Sequence, residues 1–145
     1  MKVYISGPIY LPGSVPNDRE HTDAWRLEAA KALAFHGIGV LDPCRRKAVY
    51  DPGLFTTNEI IFRDLRDVEL ADVILMNFHL VGNKLPIGTV MELMYAWSIK
   101  KPVVVISSDP RIVGHPWIIG MSVRIFKDGS INEACNYIAS FWEEK

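Results

Sequence analysis

The sequence has little cysteine, no surplus of positive charge and no long apolar run. Its two cysteines, Cys44 and Cys135, lack the spacing of metal ligands, so we expect reduced thiols in a cytosolic protein. The 16 basic residues and 17 acidic ones give a net charge of −1, which argues against a nucleic acid polymer as partner. Because the N-terminal segment resembles neither a signal peptide nor a membrane span, we expect a cytoplasmic location and no membrane partner.

The common glycine-rich nucleotide-binding motifs are also missing. The loop from Gly7 to Arg19 is rich in Gly and Pro, but it matches neither the P-loop pattern nor GxGxxG. Ser14 and Arg19 are available in this loop as phosphate ligands. A mobile lid over a binding site is the favoured interpretation of the loop.

Apolar runs alternate with segments of helical periodicity along the 145 residues. This alternation is typical of βαβ units, and the length is that of one domain. We therefore predict a single α/β domain, residues 1–145, with a flavodoxin-like doubly wound fold: a mainly parallel five-stranded sheet with helices on both faces. The predicted strands are Val3–Ile5, Ile38–Leu41, Val73–Met76, Val103–Ile106 and Val123–Phe126, and the predicted helices run from near Thr22 to His36, Asn58 to Leu70, Gly88 or Thr89 to Lys100, and Ile131 to Trp142.

A ligand site is expected at the carboxyl edge of this sheet. Doubly wound folds bind ligands beyond the strand ends, at the point where the strand order reverses. The loops after strands one, three and four should therefore lie near one another. The candidate substrate-binding residues are Ser6, Gly7, Pro8, Asn77, Gly88, Thr89 and Trp117.

Glu92 stands in the first turn of the third predicted helix and has two interpretations. The spacing Thr89-x-x-Glu92 matches a capping box, in which the carboxylate accepts a hydrogen bond from the cap N–H, and spacing alone favours this role. The alternative is catalytic, because a helix N-terminus stabilises an ionised carboxylate and Gly88 lets a ligand approach the backbone closely. A fixed, ionised carboxylate is what nucleophilic attack on an anomeric carbon requires.

Asp64 falls inside the apolar stripe that Ile61, Leu65 and Val68 form on the second predicted helix. A carboxylate in such a stripe is costly unless it is paired or functional. We predict either an ion pair with a neighbouring group, such as Arg63, or a raised pKa that suits the carboxyl for protonating a leaving base.

Enzymes that cleave glycosidic bonds commonly use two carboxyl groups that lie in different environments. Glu92 and Asp64 together therefore indicate that chemistry, although neither does so alone. Two other acidic residues are assigned structural places: Asp67 is predicted to face solvent, and Asp72 to be a turn residue at the start of a strand.

Further candidates lie around the expected site. Tyr4 and Ser6 share one face of the first strand by alternation, and a lone tyrosine on a strand is more often a core residue than a functional one. Asn77 either caps the loop that follows it or binds a ligand hydroxyl. Trp117, in a predicted loop, is a candidate wall for a flat base, whereas His115 is predicted to stabilise the turn.

Three stretches of the sequence carry a resemblance to a known family. They are KVYISGPIY at the start, FRDLRDVELADVILMNF in the middle and GTVMELMYAWSIKKPVVV after it. Together they resemble the nucleoside 2-deoxyribosyltransferase family over most of the chain, and most strongly from Asp64 to Val105. The most specific part is the pattern GT-x-x-E-x-x-x-A after AD-x-x-x-x-N.

This resemblance implies that Glu92 forms a covalent deoxyribosyl intermediate, that Asp64 is the acid/base toward the nucleobase and that Tyr4 helps to orient the nucleophile. It implies a small-molecule deoxynucleoside and a free nucleobase as partners, a homo-oligomer, and no metal or organic cofactor. Family members complete their sites with C-terminal residues of a neighbouring subunit, a pattern that this C-terminus does not match. Family members often carry another acidic residue shortly before the nucleophile, where this chain has Leu85 and Pro86.

Two other functions stay open. One is an N-glycosidase that hydrolyses 2′-deoxynucleosides or their 5′-monophosphates, which would need phosphate donors such as Ser6, Ser14 and Arg19. The other is a non-catalytic nucleotide-binding or sensor domain, since a fold does not establish an activity. The carboxylate pair argues against the binding domain, because binding alone does not require two desolvated carboxylates.

Overall fold

The architecture is a parallel five-stranded sheet between two layers of helices. The computed structural model describes residues 1–9, 17–45, 54–80 and 83–142, with residues 17–22 described by their backbone alone. The strands are β1 (Lys2–Ser6), β2 (Gly39–Leu41), β3 (Val73–Asn77), β4 (Val103–Ile106) and β5 (Arg124–Phe126). The helices are α1 (Asn17–Phe35), α2 (Thr57–Leu70), α3 (Ile87–Ser98), α4 (Pro110–Val113), α5 (Pro116–Met121) and α6 (Ile131–Trp142).

The strand order is β2-β1-β3-β4-β5, and every neighbouring pair is parallel. The chain first moves to one side of β1 and then to the other, so the order reverses between β1 and β3. In register, Ser6 lies opposite Met76, and the carboxyl ends of these two strands are therefore level. This is the switch point at which doubly wound folds bind ligands, and the predicted α/β fold is confirmed.

Among the described residues, the core consists of two apolar clusters, one on each face of the sheet. Alternation along β1 divides them: Val3 and Ile5 belong to the cluster that α1 and α6 cover, and Tyr4 to the one that α2 and α3 cover. All three side chains are fully buried. We name these surfaces the α1–α6 face and the α2–α3 face.

The predicted element boundaries hold within one or two residues for the strands, and those of β4 and α6 agree with the structure. The largest difference is at α1, which starts at Asn17 rather than near Thr22, because its first residues lack the apolar spacing by which the helix was detectable. The predicted lid falls largely outside the described residues, as do Ser14 and the side chain of Arg19.

Helix α2 begins with a capping box, but the cap is Thr56 rather than the predicted Thr57 or Asn58. The Thr56 hydroxyl accepts a hydrogen bond from the Glu59 N–H at 3.2 Å, and the Glu59 carboxylate accepts one from the Thr56 N–H at 2.6 Å. This reciprocal pair fixes the start of the helix that carries Asp64.

The sequence predicts a loop after β4, whereas the structure has two short helices there. Both α4 and α5 start with a proline at the first helical position, Pro110 and Pro116, where the missing N–H costs nothing. His115 caps α5, because its Nδ1 accepts a hydrogen bond from the Trp117 N–H at 3.3 Å. The turn that His115 was predicted to stabilise is therefore the start of a helix, and His115 is its N-cap. Trp117 thus lies in a helix and not in a loop.

Among the helices of the described ranges, none has both the length and the apolar character needed to cross a bilayer. Cys135 is buried in the α1–α6 cluster. Burial raises the pKa of its thiol to about 12, so that this side chain is a neutral core residue at physiological pH.

Candidate active site

Glu92 reaches from the second turn of α3 to the carboxyl end of β1. Its Oε1 accepts a hydrogen bond from the Tyr4 hydroxyl at 3.0 Å, and its Oε2 accepts one from the Ser6 hydroxyl. Both donors are fully buried, and alternation directs both toward the α2–α3 face. The carboxylate is therefore held by two donors that lie on a rigid central strand.

The capping box predicted for Thr89 and Glu92 is wrong. Helix α3 begins at Ile87, its N-cap is Pro86, and no side chain caps it. The sequence pattern misled because Thr89 lies inside the helix and is buried, and the carboxylate turns toward β1 instead of its own helix start.

Burial sets the electrostatics of Glu92. Desolvation raises the pKa of its carboxyl group, and the nearby negative charge of Asp64 adds to this increase. The hydrogen bonds from Ser6 and Tyr4 act in the opposite direction, as does the positive charge of Arg26. Burial beside Glu92 raises the pKa of the Tyr4 phenol as well, so Tyr4 remains a hydrogen-bond donor at neutral pH.

Asp64 combines both features that the sequence suggests for it. It is buried on α2, and one carboxylate oxygen, Oδ1, accepts hydrogen bonds from Arg63 Nε at 3.1 Å and Nη2 at 2.9 Å. Desolvation nevertheless raises the pKa of Asp64 above its ordinary value, while the Arg63 bonds oppose that increase. Its second oxygen makes no hydrogen bond to another residue of the described ranges, which leaves an acceptor or donor position for a ligand.

Asp67, one helical turn further on, is buried and does not face solvent, contrary to the sequence prediction. Its carboxylate accepts a hydrogen bond from Arg45, which lies after β2 and also donates to the Asp42 carbonyl oxygen at 2.9 Å. A partner so distant in sequence cannot be recognised from helical spacing. Asp72, in contrast, takes its predicted place at a strand start, where it accepts the Lys2 N–H at 2.7 Å.

Sequence reasoning also missed Arg26, a buried cation on α1. It is only 3% exposed, and its guanidinium donates to the carbonyl oxygens of Ile5 at 2.9 Å and Gly7 at 2.8 Å. Its position on the buried stripe of α1, beside Trp25, was the available signal, because a charged residue in such a stripe needs partners.

Gly7 follows Ser6 directly, and its backbone is tightly enclosed. A Cβ there would lie 2.6 Å from Trp25 Cζ2 and 3.2 Å from the Asn77 carbonyl oxygen, so no larger residue fits without movement. The predicted proximity of the β1 and β3 ends is thus present in the structure. Pro8 is buried as well.

Asn77 is 9% exposed and follows the strand alternation away from Glu92, toward the α1–α6 face. There it lines a cavity of about 480 Å³ at the carboxyl ends of β3 and β4. Its side chain makes no hydrogen bond to another described residue. The remaining walls of this cavity include Trp25, Phe78, Ser107, Asp109 and Asp128.

The other candidate substrate-binding residues lie on the α2–α3 side. Gly88 stands exposed in the first turn of α3, with open space where a Cβ would be. Trp117 is 66% exposed on α5, and it does not line the cavity beside Asn77. Within the described ranges, no group of His, Cys, Asp and Glu has the arrangement of a metal site.

Comparison with known proteins points to one family. The model of the nucleoside 2-deoxyribosyltransferase family matches residues 3–132. Similar solved structures include a 2-deoxyribosyltransferase from Bacillus psychrosaccharolyticus, with 21% identity, a TM-score of 0.71, and 94% of this chain and 92% of that one covered. Another, from Leishmania mexicana, has 19% identity, a TM-score of 0.68 and 97% of both chains covered.

A CMP N-glycosidase from Clostridium botulinum has the same fold, with 11% identity, a TM-score of 0.63, and 97% of this chain and 100% of that one covered. A comparison with curated protein sequences gives no significant match. Identities this low show a shared fold, whereas the family model covers most of the sequence itself. The chain therefore belongs to the nucleoside 2-deoxyribosyltransferase family.

Proposed function

We propose that this protein is an enzyme that exchanges nucleobases on 2′-deoxyribonucleosides through a covalent deoxyribosyl–Glu92 intermediate. One observation carries the proposal: the Glu92 carboxylate is bound by Tyr4 and Ser6 at the switch point of the sheet, with the buried carboxyl group of Asp64 close enough to influence its pKa. Such a pair of carboxylates, one fixed and one desolvated, suits cleavage of a glycosidic bond.

The first half of the reaction breaks the bond between C1′ and the base nitrogen. A Glu92 carboxylate oxygen bonds to C1′, the electron pair of the broken bond goes to the base, and Asp64 donates the proton that the base takes up. Tyr4 and Ser6 hold the attacking carboxylate in one orientation, which restricts it to a near-attack geometry.

The second half reverses these steps with a different base. The nitrogen of the incoming base bonds to C1′, Glu92 leaves, and Asp64 takes the proton from the base. Two displacements at C1′ give overall retention of configuration. Water in place of the base would give hydrolysis.

The raised pKa of Asp64 fits this role. A carboxyl group acts as a general acid near neutral pH only if its pKa is raised toward that range, and burial acts in that direction here. The Arg63 hydrogen bonds to Oδ1 leave Oδ2 as the oxygen that exchanges the proton with the base.

The remaining candidates are assigned to substrate binding. We assign the backbone of Gly7, Pro8, Gly88 and Thr89 to the walls around C1′, Asn77 to a ligand hydroxyl and Trp117 to stacking on the base. The substrate is a small molecule, no cofactor takes part, and the reaction belongs to nucleotide salvage in the cytoplasm.

A homo-oligomer is part of the proposal. The exposed side of α3 and the adjoining α5 carry large apolar side chains, and a contiguous patch of this kind marks an interaction surface. Ile87 is 76% exposed, Met91 63%, Trp97 49% and Ile119 53%. Sedimentation of the wild type against Trp97→Glu tests this, with dissociation expected in the variant, whereas a monomeric wild type would contradict it.

Chromatography of purified protein incubated with thymidine or deoxyinosine, with and without free adenine, tests the activity. Deoxyadenosine formed only in the presence of adenine is the expected result. Free base and deoxyribose regardless of adenine would instead indicate a hydrolase, and the 5′-monophosphates would then be the next substrates. No turnover of any of these would overturn the proposal in favour of a binding domain.

A further inference from the structure

Arg26 binds the backbone on both sides of Ser6. One guanidinium nitrogen, Nη1, donates to the Ile5 carbonyl oxygen at 2.9 Å, and the other, Nη2, donates to the carbonyl oxygens of Gly7 at 2.8 Å and Pro8 at 3.5 Å. A single side chain from α1 thus binds three carbonyl groups at the end of β1 and in the segment that follows it.

This arrangement is costly for stability alone. A cation that is 3% exposed has lost nearly all of its hydration. Its carboxylate partner, Asp42, is 3.4 Å from Nη1 and about a third exposed, so the ion pair offsets only part of the loss. The carbonyl hydrogen bonds offset a further part of it. Because an apolar side chain of similar volume at a buried ionic position is often at least as stable, stability alone does not require an arginine here.

We propose that Arg26 is a positioning residue for the nucleophile. It fixes the carbonyl groups at residues 5, 7 and 8, and it thereby holds the Ser6 hydroxyl on the Glu92 carboxylate. The inference rests on the proposed function in one respect, since it takes Glu92 as the nucleophile.

The tight surroundings of Gly7 support this reading. A Cβ at Gly7 would lie 2.6 Å from Trp25 Cζ2 and 3.2 Å from the Asn77 carbonyl oxygen, so the residue after Ser6 packs closely against both. Arg26 and this packing therefore act on the same short segment, and the hydroxyl of Ser6 in that segment donates to Glu92 Oε2.

The charge of Arg26 acts on the same carboxylate. The groups that shift the pKa of Glu92 are Tyr4 and Ser6, which donate hydrogen bonds to it from β1, Asp64 on α2, and Arg26, whose charge acts from α1 on the other side of β1. Arg26 lowers the pKa of Glu92, whereas burial and Asp64 raise it. Removal of the positive charge should therefore move the acid limb of the pH profile to higher pH, because the ionised carboxylate is the attacking form.

The test compares Arg26→Gln and Arg26→Lys with the wild type and with a control, Arg111→Gln. Arg111 lies on the surface, where it pairs with Asp109.

For Arg26→Gln we expect kcat to fall by roughly 10- to 100-fold, the scale for a small misplacement of reacting groups. KM should change by less than about threefold, and the acid limb of the pH profile should move to higher pH. Arg26→Lys keeps the charge but not the fork of donors, so the acid limb should return while kcat recovers only in part. Arg111→Gln should match the wild type.

A double-mutant cycle shows whether Arg26 acts through Ser6. If it does, Arg26→Gln has a much smaller effect on kcat in a Ser6→Ala background than in the wild type, because coupled residues are not additive. Fully multiplicative effects, or an Arg26→Gln enzyme with wild-type kcat and pH profile, would overturn the proposal. If Arg26→Gln does not fold, Arg26→Lys and Asp42→Asn answer the same question, and wild-type kinetics in the lysine variant would count against it.

An activity-independent measurement separates this inference from the proposed function. Glutamate labelled with ¹³C at the carboxyl group reports the titration of Glu92 by NMR, with Glu92→Gln for assignment. An upward shift in Arg26→Gln supports the positioning role even if the wild type exchanges no bases, in which case the proposed function alone has failed. An unchanged titration in a wild type that does exchange bases would reject the role of Arg26 alone.

Discussion

Tyr4 and Ile5 are neighbours on β1, yet they enter surroundings of opposite chemical character. Ile5 packs in a cluster on the α1–α6 face that consists of apolar side chains and the neutral thiol of Cys135. Tyr4 belongs to an equally buried cluster on the α2–α3 face, but its hydroxyl meets the carboxylate of Glu92 at the carboxyl edge.

The difference shows how one strand can serve stability and chemistry together. Alternation places every second side chain of β1 on the same face, so Val3 and Ile5 contribute apolar area while Tyr4 and Ser6 present two hydroxyls in line. The α1–α6 face has its own buried charge, Arg26, but that cation turns to backbone carbonyl groups of β1. Substitutions of apolar residues on the α1–α6 face should therefore reduce stability alone, whereas substitutions beside Tyr4 and Ser6 should reduce activity as well.

The largest effect is expected at Glu92. Glu92→Ala removes the nucleophile, and we expect kcat to fall by roughly 10⁴- to 10⁶-fold, as for the loss of a covalent nucleophile in other enzymes. A slow 2-fluoro-2-deoxy donor should label the wild type and leave Glu92→Ala unlabelled, as read by intact-protein mass spectrometry.

Circular dichroism is the control that the Glu92→Ala protein keeps its fold. Label found on a residue other than Glu92 would show that the nucleophile is misassigned. Retained affinity without turnover in the variant would distinguish an enzyme from a binding domain, because a pure binding domain has no turnover to lose.

The next largest effect is expected at Asp64. Asp64→Asn removes the exchangeable proton and should lower kcat by about 10²- to 10⁴-fold with bases that are poor leaving groups. An activated donor, whose leaving group needs no proton, should react at nearly the wild-type rate. Equal losses with both donors would contradict the role as acid. Glu69→Gln, an exposed carboxylate on the same helix, is the matched control.

Much of the fold and part of the candidate site were predictable from the sequence. The alternation of apolar segments predicted the five strands, and alternation along β1 placed Tyr4 and Ser6 on one face. Asp64 is buried as predicted, but the stripe used to predict it is only partly correct, because Val68 is buried whereas Ile61 is 50% exposed. The spacing of Thr89 and Glu92, however, predicted a capping box, because local spacing cannot show that α3 starts at Ile87 and turns its carboxylate to β1.

The missed residues have tertiary partners. Asp67 faces inward because Arg45, far away in the sequence, meets it there, and Arg26 is satisfied by carbonyl groups that no side-chain pattern reveals. Two short helices after β4 escaped detection because each spans only one or two turns, too short for a helical period to show. Residues paired across the fold are thus the ones that spacing alone misassigns.

A smaller effect comes from two adjacent buried side chains of β3 that point to opposite faces. Leu75 lies opposite Ile5 on the α1–α6 face and Met76 opposite Ser6 on the α2–α3 face, and both are fully buried. Substitution of either by Ala should cost about 2–5 kcal/mol of unfolding free energy, measured by urea denaturation.

Activity should distinguish the two variants. Met76→Ala leaves a cavity beside Ser6 and should lower kcat by roughly tenfold, on the scale of small misplacements, under conditions in which the variant is folded. Leu75→Ala should keep kcat within about twofold of the wild type, since its cavity opens away from Glu92. A reversed order would show that the two faces are not separable at this edge.

The smallest effect is on the pH dependence of stability, and it has opposite signs at the site and at the surface. Burial raises the pKa of Glu92, so the folded protein holds this proton more tightly, and stability is lost as pH rises from the ordinary pKa through the folded one. Glu92→Gln keeps an acceptor for Tyr4 but cannot ionise, and it should flatten that slope and be more stable than the wild type at neutral pH. At Asp109, hydrogen bonds from Arg111 lower the pKa to about 2, so stability is instead lost as pH falls.

Urea denaturation of the wild type, Glu92→Gln and Asp109→Asn between pH 2 and pH 8 measures both slopes of stability against pH. A Glu92→Gln protein that is less stable than the wild type at neutral pH would show that the ionised carboxylate stabilises the fold.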